Sequence, residues 1–423
     1  MSSWKKFNRE ILIMTETSEK FGRVALYLLL LAGPVLGLAT KGFAPLLAIA
    51  GSISFIAVLM QPEKLQQVEF RKFIFALPFL FFMGLSLAWS QAENAGRSYF
   101  VLILVVVFTA SLRISFKGMS LEEQDRFKHL LSTSLLFGII VSISIGSYPL
   151  FWPELSILIN SMSNQLTFAN IELLRQSNRS LSLIPVFLFP IAGFYWPRAK
   201  WLFIPLIAIV FFITANSDSQ TAFLAMLLGT IAFVFAYFYK YDGRRIIFAV
   251  TAIGLLFSPI IFLKSFEYNF VQNYAPQIIK QKASGEYREW IYYTYANEAL
   301  SRPFLGHGLK STRNFSPDNL NNYLELARER SLPHSLVHAH NFPLQVIFEF
   351  GYLGAILFLA AFWWLLNLRL DNAGLATHAA TLAAICGLLL FSYSLWQSWL
   401  LASLGFLYFY ISILYRPDGQ SNV

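Results

Sequence analysis

Long apolar runs, each about as long as a bilayer is thick, follow one another along most of this chain, with short charged stretches between them. A spanning helix takes about 20 mostly apolar residues. Lipid offers the backbone no hydrogen-bond partners, so such runs are helical. They fall at 24–41, 43–60, 73–90, 98–113, 130–151, 180–196, 200–215, 219–239, 246–263, 344–367, 377–393 and 396–415. The predicted fold is therefore all-α: a polytopic transmembrane bundle of about twelve helices with one large, mostly helical outer loop. Residues 1–263 make the first part of the bundle, with about nine helices; 264–343 make the loop; 344–423 make the last part, with about three.

Composition agrees with lipid as the solvent. Charged residues are 13% of the chain, about half the share usual in a soluble domain. The formal net charge is +9. In a soluble protein that excess would suggest nucleic acid. Here the basic residues lie between apolar runs, which points first to topology and second to an anionic ligand such as a lipid phosphate or pyrophosphate. The single cysteine, Cys386, lies inside an apolar run and makes neither an internal disulfide nor a metal site. The first two dozen residues are polar and charged, with no short apolar segment and cleavage site after them. We therefore expect no removable signal peptide, with the first helix serving as its own insertion signal.

Lys and Arg gather in alternate connections, as the positive-inside rule requires. Arg71 and Lys72, Arg126 and Lys128, Arg198 and Lys200, and Arg244 and Arg245 all fall on one side. The expected placement is the bacterial inner membrane, with both termini cytoplasmic. Short outer loops at 91–97 and 216–218 are poor in basic residues. Two longer outer segments are not: 152–179 ends in Arg175 and Arg179, and 264–343 holds nine Lys and Arg. Long loops cross regardless of charge, so basic residues retained there suggest an anion to bind.

The large loop reads as ordered. Residues 286–300 place aromatic and apolar residues at helical spacing, 302–308 read as a break and tight turn, and 318–330 as a second, polar amphipathic helix. No phosphate-binding loop, dinucleotide fingerprint, HExxH or paired CxxC is present. Four of the six histidines (His307, His334, His338, His340) lie in this loop. Three readings stay open on chemistry alone. The histidines are solvated or cap a helix together with Asn341. Or His338-x-His340 chelates a metal, although no carboxylate is close in sequence. Or an imidazole, which titrates near neutral pH, takes a proton from an attacking hydroxyl.

His340-Asn341 is followed by nine residues and then Gly351-Tyr352-Leu353-Gly354. This H-N-x9-G-x-x-G element, entering a span from the outer side, resembles the signature of the O-antigen ligase and polymerase superfamily. Arg302-Pro303-Phe304-Leu305-Gly306-His307-Gly308 looks like that family's P-[FL]-L-G-x-G turn, and Tyr287-Arg288-Glu289-Trp290 like the place of its loop arginine. Asn178-Arg179 before a Leu- and Pro-rich helix is similar to a further ligase motif. One departure stands out: many relatives have Ser-Arg where this chain has Ser219-Gln220.

The resemblance implies a metal-independent, inverting glycosyltransferase without a cofactor. It would work on the periplasmic face, moving a glycan from undecaprenyl diphosphate to a sugar hydroxyl of lipid A–core to complete lipopolysaccharide. His340 would be the base, helped by His338. Arg288 and Arg179 would hold the pyrophosphate, with Arg175, Asn341 and Gln220 beside them. Arg179 or Arg175 would supply the cation absent at Gln220. The alternatives are a polymerase of the same superfamily, a transferase to protein, or a transporter or flippase. The last needs charged or broken helices at mid-membrane.

Overall fold

The computed structural model describes residues 2–61, 63–64, 74–151, 167–217, 219–239, 243–267, 269–276, 285–313, 339–366, 372–391 and 393–414. These residues are helical throughout, with short turns between. The helices are α1 (Ser2–Leu28), α2 (Ala32–Leu38), α3 (Phe43–Leu59), α4 (Leu77–Leu85), α5 (Ala95–Lys117), α6 (Leu121–Phe151), α7 (Thr167–Asn216), α8 (Gln220–Tyr239), α9 (Gly243–Glu267), α10 (Phe270–Tyr274), α11 (Gly285–Ser301), α12 (Phe342–Leu366), α13 (Asn372–Phe391) and α14 (Ser398–Leu414).

Among the described residues, eight helical stretches are long and apolar enough to cross a membrane. The longest, Asn178–Asn216, contains two expected runs. They are separated by a non-helical residue, Ala199 (φ −143°, ψ 29°), two positions after Pro197. With the shorter apolar helices Leu77–Ala88, Gly374–Leu390 and Ser398–Leu414, every expected run has a helix. The part of the expected outer segment from Thr167 is helical and runs on into the apolar span, which begins at Asn178. The expected helix at 318–330, His334 and His338 lie outside the described residues.

Small residues set the closest approaches in the bundle, as expected where lipid gives helices no hydrophobic drive to associate. Gly33 and Gly37 on α2 face Ser134, Gly138 and Val141 on α6. A Cβ on Gly33 would collide with the Ser134 backbone. The Ser142 hydroxyl donates to Leu36 O across 3.2 Å. Ala376, Ala379, Ala380 and Ala384 of α13 are fully buried, and Gly387 lies against the Ala225 backbone of α8.

The buried apolar residues form two cores. The larger joins α1–α3 and α5–α8 with α13 and α14. The smaller is built from α4, α9, α11 and α12. Phe342 and Leu395 pack against both, so the start of α12 lies at the seam between them. The loop helix α11 buries Trp290, Tyr295, Ala296 and Ala299 completely. The aromatic spacing read at 286–300 is thus the face that docks this helix onto the bundle.

Candidate functional site

A break in α12 organises this seam. Gly351 has φ +62° and ψ −169°, a region essentially reserved for glycine. In an unbroken helix the N–H groups of Tyr352 and Leu353 would bond to the carbonyls of Phe348 and Glu349. Here they donate to Pro303 O (2.7 Å) and Phe304 O (3.2 Å). The two released carbonyls accept from His307 N and Gly308 N, each at 2.8 Å. The turn at 303–308 is therefore stitched into the helix by four backbone hydrogen bonds, which satisfy these four groups.

Gly306 and Gly308, at φ +66° and +93°, shape the turn. A Cβ on Gly351 would collide with the Phe304 carbonyl, and one on Gly306 would sit 2.5 Å from the Glu349 carbonyl carbon. The two glycine motifs of the sequence are halves of one joint. The neighbour that Gly351 admits is loop backbone, the Phe304–Leu305 peptide. His307 is part of this joint as well. Its ring stacks on Phe348 with centroids 4.5 Å apart, and its Nε2 lies 3.0 Å from Glu298 O.

Just before the break sits Glu349, fully buried. Its Oε1 accepts from Thr312 Oγ1 (2.6 Å) and Gln345 Nε2 (2.9 Å). Its Oε2 accepts from Lys310 N (2.9 Å) and Trp396 Nε1 (2.7 Å). Four donors saturate the acceptor capacity of one carboxylate. Gln345 extends the network to the segment before α14, where Leu395 N donates to its Oε1 at 3.4 Å. Thr312 O takes the Tyr295 hydroxyl of α11 at 2.7 Å. One carboxylate thereby ties together α11, α12, the 309–313 turn and the entry to α14.

His340 and Asn341 form the corner that enters α12. Asn341 caps the helix: its Oδ1 accepts from Leu344 N at 3.0 Å, while its Nδ2 donates to Leu390 O at the end of α13 (3.2 Å). His340 is half-buried and holds a left-handed φ of +49°. Its carbonyl accepts a long hydrogen bond, 3.5 Å, from the Tyr292 hydroxyl. Burial pushes that phenol up to about 12, with Arg288 partly opposing the shift, so it remains a neutral donor. Arg288 is half-buried one turn earlier on α11. Its neighbour Glu289 directs Oε1 to Ser265 Oγ (2.8 Å) and Val271 N (3.3 Å). Among the described residues Arg288 and Glu289 form no ion pair.

Arg179, half-buried on α7, acts electrostatically on Tyr393. The Tyr393 hydroxyl is hydrogen-bonded with Ser182 and lies near the charge of Arg179. The Ser182 hydroxyl also lies 3.2 Å from that of Ser219, which immediately precedes half-buried Gln220 at the start of α8. Tyr393 is three residues beyond Leu390, the partner of Asn341. Arg288, Arg179, Gln220 and the His340–Asn341 corner thus share one end of the bundle. Arg175 is helical one turn before Arg179, but its side chain, like all of His338, lies outside what is described.

Sequence reasoning missed Glu349, Gln345, Thr312, Trp396, Tyr292 and Tyr393. Only Glu349 carried a signal: an ionisable residue inside an apolar span is a functional or structural site by default. Among the described residues no three His, Cys, Asp or Glu side chains group as a metal site would.

Residues 205–359, which include the joint, α11 and the His340 corner, match the family model described as O-antigen ligase. A Rickettsia typhi protein described as "putative polysaccharide ligase" is 28% identical over 215 residues, 50% of this chain and 51% of its own length. A Rickettsia bellii protein described in the same words is 29% identical over 216 residues, with 50% and 51% covered. The matches thus span about half the length of these curated relatives. No solved structure matches the chain. These similarities support the O-antigen ligase superfamily as its family.

Proposed function

We propose that this protein is an O-antigen ligase that transfers a glycan from undecaprenyl diphosphate to a sugar hydroxyl of lipid A–core at the periplasmic face of the inner membrane. The observation that carries the reading is the His340–Asn341 corner. It opens a helix stitched to the loop turn at Gly351, inside the segment that matches the ligase family. The polymerase of the same superfamily would use the same corner. It differs in the acceptor, a second lipid-linked glycan. The transporter reading loses ground, because the break in α12 is closed by loop backbone and lines no described passage.

In the proposed reaction the acceptor hydroxyl oxygen attacks the anomeric carbon of the donor glycan. His340 takes the hydroxyl proton, assisted by His338. The bond from the anomeric carbon to the diphosphate oxygen breaks, and its electron pair leaves with undecaprenyl diphosphate. Arg288 and Arg179 hold that diphosphate and stabilise its growing charge. Arg175, Gln220 and Asn341 line the same end. Gln220 is neutral, so the pyrophosphate relies on Arg179. The phosphate ester already carries the driving force, and the reading needs neither metal nor nucleotide.

The test is reconstitution of the purified chain with a polyprenyl-diphosphate-linked glycan and lipid A–core. The proposal expects glycan joined to lipid A–core. Chain extension of the donor alone, with lipid A–core unmodified, would assign the protein to the polymerases.

A further inference from the structure

A second basic centre lies apart from the residues assigned to the diphosphate. Lys310 is buried, at 8% exposure, and adopts a left-handed backbone (φ +64°). Its backbone N–H is bonded to Glu349. Its Nζ donates to Asn94 O across 3.3 Å. Asn94, also left-handed at φ +59°, is the N-cap residue of α5, with no capping bond from its side chain. Arg97 lies in the first turn of that helix. Arg313 closes the turn that begins at Lys310, donating its N–H to Lys310 O at 3.0 Å. Lys310, Arg313 and the first turn of α5 with Arg97 therefore lie together at that end of α5, Lys310 buried and the two arginines exposed. Among the described residues neither Arg97 nor Arg313 forms an ion pair, and neighbouring exposed Glu93 pairs with none of the three. Consistent with this, burial first and the charges of Arg313 and Arg97 next hold the Lys310 amine below the usual lysine range, with Glu349 opposing.

Two further facts make this arrangement hard to explain as packing. Outer connections are depleted in Lys and Arg, and Arg97 is the single basic residue of 91–97. Lys310 is a buried cation beside two exposed like charges, and the buried carboxylate near it, Glu349, already takes four donors, so an anion from outside would complete the set. We propose that Arg97, Lys310 and Arg313 form a binding site for the phosphate groups of an anionic glycolipid, the acceptor of the transfer. The proposal rests on the ligase reading for the word acceptor, but not for the site.

Position favours the acceptor over the donor. Glu349, which holds the Lys310 turn, lies seven residues into α12, about 10 Å at helical rise from the start of the helix that the His340 corner opens. In the donor, the bond that breaks is made to the diphosphate itself, so that phosphate must sit within a few ångströms of the reacting hydroxyl. In an acceptor glycolipid the phosphates lie near the acyl chains, and the reacting sugar extends away from them. A cationic site tied to Glu349, about two helical turns along α12 from the corner that holds the proposed base, fits the second geometry.

The experiment measures binding, without donor, of bisphosphorylated lipid A–core and of its phosphatase-treated form to the full chain in nanodiscs. The proteins compared are wild type and an Arg97→Gln/Arg313→Gln double variant, which leaves the Lys310–Glu349 bond in place. We expect wild type to prefer the phosphorylated form about tenfold, and the double variant to lose most of that preference. In turnover, the acceptor KM should rise in the variant and the donor KM should hold. Equal binding of the two forms by wild type would overturn the site, as would an undiminished preference in the variant. Equal competition by phosphatidylglycerol would reduce it to a general lipid contact and overturn the acceptor assignment. Because binding needs no turnover, a protein that binds with phosphate preference but transfers nothing would sink the ligase reading and leave the site standing.

Discussion

Glu349 shows how one side chain can hold an outer face together. Its two oxygens take four donors from three separate segments. Glu349→Ala leaves those donors buried without an acceptor, and each costs about 1–3 kcal/mol unless water enters. We expect a loss of about 3 kcal/mol or more, read as a lower Tm in detergent. Glu349→Gln keeps one oxygen for Lys310 N and Trp396 Nε1, and the Thr312 hydroxyl can turn to accept from the new amide. Its Tm should fall between wild type and Glu349→Ala; equal Tm values for the two variants would deny the network its importance. The arginines are tested by charge-conserving change. Arg288→Lys retains the charge but not the planar fork that grips two phosphate oxygens. Its donor KM should therefore lie closer to that of Arg288→Ala than to wild type. A wild-type KM for Arg288→Lys would show that only the charge matters.

At the scale of elements, the joint between the 303–308 turn and α12 explains two motifs that sequence presents separately. Gly351→Ala forces a Cβ into the Phe304 carbonyl and a side chain into a glycine-only conformation. The conformational part alone costs about 1–3 kcal/mol. We expect a clear drop in Tm with loss of transfer, whereas Gly96→Ala, with nothing within 4 Å of the added Cβ, should leave Tm unchanged. A Gly351→Ala protein as stable and active as wild type would mean that the break is dispensable. The spans and the docking face of α11 were legible because apolar length and aromatic periodicity are local properties. The joint was not, since hydrogen bonds between residues about 45 apart leave no periodicity behind. The motif spacing marked His340 and Gly351 as special, but it could not reveal that Gly351 serves the Pro303–Gly308 turn. Glu349 was passed over because the apolar run around it dominates any window average.

For the molecule as a whole, the proposed topology puts the 88–95 and 216–219 connections, the loop helix α11 and the 391–397 segment on one side. Two of these connections are tied to their surroundings at that end: Ser90 donates to Leu309 O (2.7 Å), and Ser219 meets Ser182 of α7 (3.2 Å). In a Cys386→Ser background, an impermeant maleimide added to spheroplasts should label Glu93→Cys and spare Lys117→Cys, both at exposed positions at opposite ends of α5. The reverse labelling would invert the assignment and move the His340 corner to the cytoplasm. The central claim, that this corner is the transfer centre, is tested most directly by His340→Ala in the reconstituted ligation assay, with Tm measured on the same preparation. The account predicts a Tm close to wild type and a rate lower by about 10²–10⁴-fold, the usual worth of a general base. A correctly folded His340→Ala protein that transfers glycan at near the wild-type rate would contradict it.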